Sequence, residues 1–145
     1  MRKVRQETLF DNDSGAKAIC SAVQQARPGK KAVKLTDPFT HVLRNLYVVP
    51  TPITEGQRES KIEDFFDAAT RNTVVGGKTF SDKNGFDETK HYGKWIFAEA
   101  VVTPHAETID FTGFSPLLTN ISMVIQEHAR YMSSDAQPTS EQPNA

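Results

Sequence analysis

Apolar runs, polar turns and one helical stripe alternate along the first third of the chain. Residues 8–10 form an apolar run that ends in the polar segment 11–15, which is typical of a buried strand stopping at a turn. Four small or apolar residues follow at the spacing of one helical face, before a Pro-Gly pair ends the helix: Ala16, Ile19, Cys20 and Val23. A second apolar run covers 46–49. The pattern predicts a strand, a helix and a parallel strand joined by a crossover.

The middle of the chain predicts a short helix and a small hairpin. Ser60 with Glu63 three residues later is a capping-box pattern, so a helix should begin there. Gly76 and Gly77 separate two short runs, 73–75 and 78–80, and such a pair favours a two-residue hairpin turn.

Two further helices are predicted toward the end of the chain. The first should begin near Lys90 and end at Pro104, with three residues on its apolar face: Trp95, Ala98 and Val102. The second follows Pro116, and its predicted apolar face holds four residues: Leu118, Ile121, Ile125 and Met132. Residues 133–145 are almost free of apolar side chains, so we expect a disordered tail after a single domain over 1–132.

Composition narrows the class of protein further. With 37% hydrophobic and 24% charged residues in 145, the chain has the profile of an ordinary globular domain. The single cysteine, Cys20, excludes an internal disulfide and is typical of a reducing compartment, so we expect a cytoplasmic protein. No apolar stretch approaches the roughly 20 residues that cross a bilayer, so no membrane partner is expected. The net charge of -1 means that any contact with nucleic acid must be local.

The strand-end triplet 11–13 is the first candidate metal site. Side chains alternate along a strand, so Asp11 and Asp13 project to one side, at the carboxyl end where open α/β sheets bind ligands. Two neighbouring carboxylates repel each other unless a cation neutralises them, and oxygen ligands suit Mg²⁺ or Mn²⁺. The alternative is that 11–15 is simply a turn and a helix N-cap.

Two further positions could take part in phosphodiester chemistry. Glu63 and Asp64, just beyond the second strand, could bind a second metal or act as a general base. The alternative is that they cap a helix and balance its dipole. Lys94 could stabilise negative charge on a pentavalent phosphorus transition state, or it could be an ordinary solvated lysine.

Four motifs in order give the chain a resemblance to a known family. They are LFDNDSGAK at 9–17, NLYVV at 45–49, SKIEDFF at 60–66 and HYGK at 91–94. From residue 9 to about 127, roughly four-fifths of its length, the chain resembles the Toprim domain that follows the reverse transcriptase in one class of bacterial retron proteins. This resemblance implies an α/β fold: a partial Toprim-like parallel sheet flanked by helices, with a small hairpin insertion.

The resemblance also implies roles for the candidate residues. Toprim domains bind Mg²⁺ or Mn²⁺ through a glutamate on the first strand and an Asp-x-Asp on a later strand, which Asp11 and Asp13 match. By likeness to the related overcoming-lysogenization-defect nucleases, Glu63 with Asp64 would take a second metal. Lys94 would be the transition-state lysine.

One departure from the family separates two functional expectations. The glutamate-bearing strand should precede residue 9, and Glu7 cannot replace it, because it lies about 13 Å back along the strand from Asp11. The first expectation is a metal-dependent nuclease domain acting on DNA or RNA in a retron-like, phage-defence-related protein. Its missing strand would then come from a partner, such as a reverse transcriptase polypeptide or retron complex. The second is an inactive remnant that binds a partner or nucleic acid.

Overall fold

A three-stranded sheet organises the first part of the molecule. The computed structural model describes residues 4–134. The strands are β1 (Gln6–Phe10), β2 (Thr40–Leu43) and β3 (Leu46–Pro50), in the order β1-β3-β2. β1 pairs with β3 in parallel, and β2 pairs with β3 antiparallel. The chain is therefore a mixed α/β protein, as the sequence predicts.

One face of this sheet is covered by helix α1 (Ala16–Ala26), which forms the predicted crossover between β1 and β3. Its stripe packs against the sheet in one apolar cluster that includes Ala16, Val23, Phe10 and Val48, with Cys20 partly buried. Strand β2 was not predicted. It forms a hairpin with β3 through a turn at Arg44, whose φ of 50° lies in the left-handed region. The segment 30–44 is mostly polar, but Thr40 and Val42 are buried at alternate positions of β2.

The opposite face is covered by the last helix, α5 (Ser115–Ser134). Leu117 and Val124 are buried against Tyr47 and Val49 of β3. The predicted face was wrong in its register, because Leu118 and Ile125 are exposed and only Ile121 of that set packs at the core. Two apolar stripes overlap in this helix, and packing against the sheet selects the one that starts a residue earlier.

A smaller layer lies beside the sheet and carries its own apolar cluster. It contains a 3-10 turn (Ile62–Phe65), helix α2 (Ala68–Arg71) and two short parallel strands, β4 (Thr79–Phe80) and β5 (His91–Tyr92). The predicted hairpin is reduced to one bridge between Val75 and Lys78 across the two glycines, because β4 pairs with β5 instead.

The helix that follows β5 differs from its prediction in start, end and face. It begins as α3 (Lys94–Ile96), widens into a π-helix over Phe97–Val102 and continues as α4 (Thr103–His105), which contains Pro104. Phe97 and Val101 form its buried face, whereas Trp95 is 75% exposed. The wider π turn shifts the facing residues and accommodates a proline that would otherwise interrupt an α-helix.

The last described helix continues slightly further than predicted, since α5 includes residues 133 and 134. The rest of the predicted disordered tail lies outside the described residues. Among the helices within 4–134, none has the length and apolar character needed to cross a bilayer.

Candidate functional site

A buried polar network at the carboxyl ends of β1 and β3 forms the floor of the candidate site. The backbone N–H of Asn12 donates to Thr51 Oγ1 at 2.8 Å and to the Ser60 carbonyl at 2.9 Å. The Asn12 side-chain amide donates inward to the carbonyls of Leu35 and Thr51. Because Asn12 points into the protein, the side chains on either side of it are free to point outward.

Thr51 and Ser60 join the exit of β3 to the segment that follows. Thr51 Oγ1 lies 2.7 Å from Ser60 Oγ and donates to the Ser60 carbonyl, while Ser60 Oγ donates back to the Thr51 carbonyl at 2.9 Å. Both residues are buried, so these bonds replace contacts with water. These bonds join the two ends of the loop 52–59, so the turn Ile62–Phe65 begins beside the end of β1.

Asp11, Glu63 and Lys94 meet at this point although they lie far apart in the sequence. The Ile62 N–H donates to Asp11 Oδ1 at 3.0 Å, which holds that carboxylate beside the turn. Lys94 Nζ lies 3.3 Å from Asp11 Oδ2 and 2.9 Å from Glu63 Oε2. The three side chains with separately predicted roles are therefore neighbours, which we call the acid–lysine cluster.

Glu63 is the buried member of the acid–lysine cluster. Its residue is only 6% exposed, and its Oε2 lies 2.9 Å from the Lys94 ammonium as an ion pair. Burial acts to lower the pKa of Lys94, but the Glu63 and Asp11 carboxylates outweigh it, so the pKa of Lys94 is raised. The lysine thus stays charged and balances both acids.

A second ion pair borders the acid–lysine cluster, and the sequence analysis did not single it out. Lys61 Nζ donates to Asp82 Oδ2 at 2.8 Å. This hydrogen bond raises the pKa of Lys61 and lowers that of Asp82, and the charge of Asp13 adds to the effect on Lys61. Lys61 could have been found from the sequence because it belongs to the SKIEDFF motif. Asp82 could not, because it lies in an irregular loop and no spacing rule connects it with Lys61.

The remaining two predicted ligands are used locally. Asp13 Oδ1 accepts the N–H of Gly15 at 2.8 Å, which is the turn role weighed as an alternative. Asp64 Oδ2 accepts the N–H of Lys61 at 2.9 Å, and its other oxygen lies 3.4 Å from Arg71. The capping box was predicted one residue too early, at Ser60 and Glu63, whereas the structure forms it between Lys61 and Asp64. The Glu63 side chain therefore takes no part in the cap and contacts Lys94.

The four acids predicted as metal ligands are not gathered into one group. Within residues 4–134, no three His, Cys, Asp or Glu side chains are placed so that they could hold one metal ion. Asp11 and Glu63 are the pair that fits a divalent ion best, because Mg²⁺ is commonly held by one or two carboxylates, with waters and phosphate oxygens completing its shell. The buried Glu63 Oε2, which faces the Lys94 ammonium, is consistent with a carboxylate that binds a cation.

Comparison with known proteins leaves the site to be judged on this geometry. No protein-family model matches the chain, and no solved structure matches it. The likeness to Toprim domains therefore stays a prediction from the motifs.

Proposed function

We propose that this chain is a nuclease-type domain in which Asp11 and Glu63 bind one Mg²⁺ or Mn²⁺ ion and Lys94 contacts a phosphate of DNA or RNA. The convergence of two carboxylates on one lysine, beyond the carboxyl ends of two parallel strands, carries this proposal. That edge is where open α/β sheets bind their ligands. The neighbouring ion pair of Lys61 and Asp82 adds one cation and one anion, so it leaves the net charge of the site unchanged.

Each member of the acid–lysine cluster has a distinct part in this proposal. A bound divalent ion supplies a Lewis acid for a phosphate oxygen and a water of lowered pKa. Asp11 and Glu63 would supply the carboxylate oxygens that bind the ion. The Ile62 N–H fixes the orientation of Asp11, and burial restricts the side chain of Glu63. Lys94 is 45% exposed at its side chain, so its ammonium can leave the two acids and donate to a phosphate that carries developing negative charge.

The free edge of β1 supports the partner that the sequence analysis expects. Within the described residues β1 pairs only with β3, and residues 6–9 are exposed. A strand from another polypeptide could add to such an edge through backbone hydrogen bonds. We propose that a retron-like partner, such as a reverse transcriptase polypeptide, supplies the glutamate strand there.

Metal binding is the first test, and the single tryptophan provides the readout. Trp95 is exposed and adjacent to Lys94, so its fluorescence should change when Mn²⁺ displaces the ammonium from the acids. We expect Asp11→Asn and Glu63→Gln each to weaken Mn²⁺ binding at least about tenfold, which corresponds to losing one charged ligand. Asp64→Asn is the matched control and should bind as the wild type does, because Asp64 faces Arg71.

Cleavage is the second test. Short DNA and RNA substrates are incubated with the chain and Mg²⁺ or Mn²⁺, and Asp11→Ala and Lys94→Met are expected to abolish cleavage. Asp13→Ala separates the two arguments: loss of cleavage supports the Asp-x-Asp of the resemblance, whereas full activity supports the geometric pair. Metal binding without cleavage favours the inactive remnant, and absence of both contradicts the proposal.

A further inference from the structure

Positive charge is concentrated in one stretch of the chain. Residues 27–44 contain five basic residues and one acidic residue, while the rest of the chain has twelve basic and seventeen acidic residues. The overall charge of -1 therefore conceals a strongly basic segment. The five cations are Arg27, Lys30, Lys31, Lys34 and Arg44.

Folding gathers part of this segment around a cleft of about 410 Å³, which we call the basic cleft. Its lining includes Arg27 and Lys31 from the turn that follows α1, His41 and Arg44 from the β2–β3 hairpin, and Tyr131 from α5. No acidic residue lines it. A second cleft of about 580 Å³ is different in character because Asp67 and Asp110 line it.

Local hydrogen bonds hold the two turns that form the basic cleft. Arg27 Nη1 donates to the carbonyls of Lys31 and Ala32 at 3.1 and 2.7 Å, which folds the chain back after α1. The His41 Nε2 atom lies 2.9 Å from the Arg44 carbonyl and braces the hairpin turn. The cations are thus carried on closed turns, whose shape is preserved before a ligand arrives.

The cations of the basic cleft are not neutralised within the part of the chain that the structure describes. Neither Lys31 nor Arg44 lies within ion-pair distance of a described carboxylate, and both are exposed. An aromatic pair stands beside them: the His41 and Tyr131 rings are 5.5 Å apart. Cations that can follow a phosphate backbone, next to rings on which bases can stack, are the combination used to bind single-stranded nucleic acid.

We infer that the basic cleft binds single-stranded nucleic acid, with Lys31 and Arg44 contacting phosphates and Tyr131 offering a stacking surface. The cleft lies at the amino ends of β1 and β3, about 16 Å along the strands from the acid–lysine cluster. Binding there requires no metal and no cleavage. It is therefore a second site, distinct from the one proposed above.

The test measures the binding of a labelled single-stranded DNA or RNA oligonucleotide by fluorescence anisotropy, with EDTA present so that metal chemistry plays no part. Affinity should fall steeply as salt rises from about 50 to 200 mM, because phosphate contacts release counterions. Lys31→Gln/Arg44→Gln should weaken binding at least about tenfold and reduce the salt slope by about 1.4, the value for two contacts to single strands.

Lys83→Gln/Lys90→Gln is the matched control, since it removes the same charge from an exposed loop away from the basic cleft. It should keep nearly full affinity. Tyr131→Leu should weaken binding by a salt-independent factor, because it removes stacking and no charge. The inference is overturned if the wild type does not bind, if the control loses as much affinity as the cleft variant, or if vesicles with anionic lipids bind more tightly than the oligonucleotide.

The two proposals can fail separately. Oligonucleotide binding in EDTA without any Mn²⁺ response would uphold the basic cleft and remove the metal site. A Mn²⁺ response without oligonucleotide binding would do the reverse. Melting curves of each variant, compared with the wild type, verify that a lost signal does not come from unfolding.

Discussion

The two ends of the β1–β3 pair carry charge in opposite ways. At the carboxyl end, Lys94 lies between Asp11 and Glu63, and nearby lysine and aspartate side chains pair in the same manner. At the amino end, Lys31 and Arg44 line a cleft whose described lining includes no acidic residue. The same parallel strands thus separate a neutralised cluster from a surface of free positive charge.

This difference bears on what each end is proposed to bind. A ligand at the carboxyl end must compete with Lys94 for the acids, so only a strongly charged cation or a phosphate that draws the lysine away can enter. At the amino end nothing has to be displaced, because Lys31 and Arg44 already face solvent and would attract a polyanion directly. Net charge of the whole chain could reveal neither property.

The largest expected effect comes from removing the floor of the acid–lysine cluster with Asn12→Leu. The substitution removes the side-chain donor to the Leu35 carbonyl and one of the two side-chain donors to the Thr51 carbonyl, which keeps its bond from Ser60 Oγ. The loss should lower the free energy of unfolding by about 2–4 kcal/mol. Urea denaturation measures this loss. Asn84→Leu, in an exposed loop, is the control and should change stability by no more than about 0.5 kcal/mol.

Asn12→Leu also tests whether the two ends are independent. Where the variant remains folded, it should lose the Mn²⁺ response and keep oligonucleotide binding at the basic cleft. Equal loss at both ends would mean that the comparison between them is wrong and that the sheet transmits the damage.

Local pattern explains which parts of the carboxyl end could be predicted. β1, α1 and β3 were predicted because continuous apolar runs and helical periodicity are properties of neighbouring residues. Asp11 was placed at a strand end for the same reason. The pairing of Lys94 with Glu63 could be suggested only by the motif series, since no local rule connects residues from different layers.

Tertiary packing explains the errors. Trp95 was predicted to be buried because its spacing fits a regular helix, but the π turn at Phe97–Val102 changes the face that meets the core. In α5, packing against Tyr47 chose between two overlapping stripes. The Lys61–Asp82 pair joins a turn to an irregular loop, and such long-range pairs leave no trace in the spacing of residues.

An intermediate effect is expected from Gly113→Ala, which would displace the turn that carries Glu63. A Cβ at residue 113 would lie far inside van der Waals contact with the carbonyl oxygen of Phe65, in the turn that carries Glu63. Either the turn or the loop at 113 must move, at a cost of about 1–3 kcal/mol. We expect weaker Mn²⁺ binding and unchanged oligonucleotide binding; unchanged metal affinity would show that the position of Glu63 is unimportant.

The smallest expected effect is the pH-dependent contribution of the Lys61–Asp82 pair to the free energy of unfolding. It tests whether charges at the carboxyl end neutralise one another. The pKa of Asp82 is lowered, first by its hydrogen bond from Lys61, so the stability it contributes is present above the ordinary value of about 3.9 and is lost as pH falls through the lowered one. The pKa of Lys61 is raised by the same bond. Its contribution is complete below about 10.4 and is lost as pH rises through the raised value.

Lys61→Met should therefore cost less than about 1 kcal/mol in unfolding free energy between about pH 5 and 9, because both side chains are only partly buried. The difference from the wild type should shrink below about pH 4 and above about pH 11, outside the window in which both groups are charged. Lys90→Met, which removes a lysine from the exposed pair with Asp87, is the control and should show a smaller difference at every pH. A pH-independent cost for Lys61→Met would mean that the lysine stem, packed beside the turn, stabilises the site through contact and that charge pairing contributes little there.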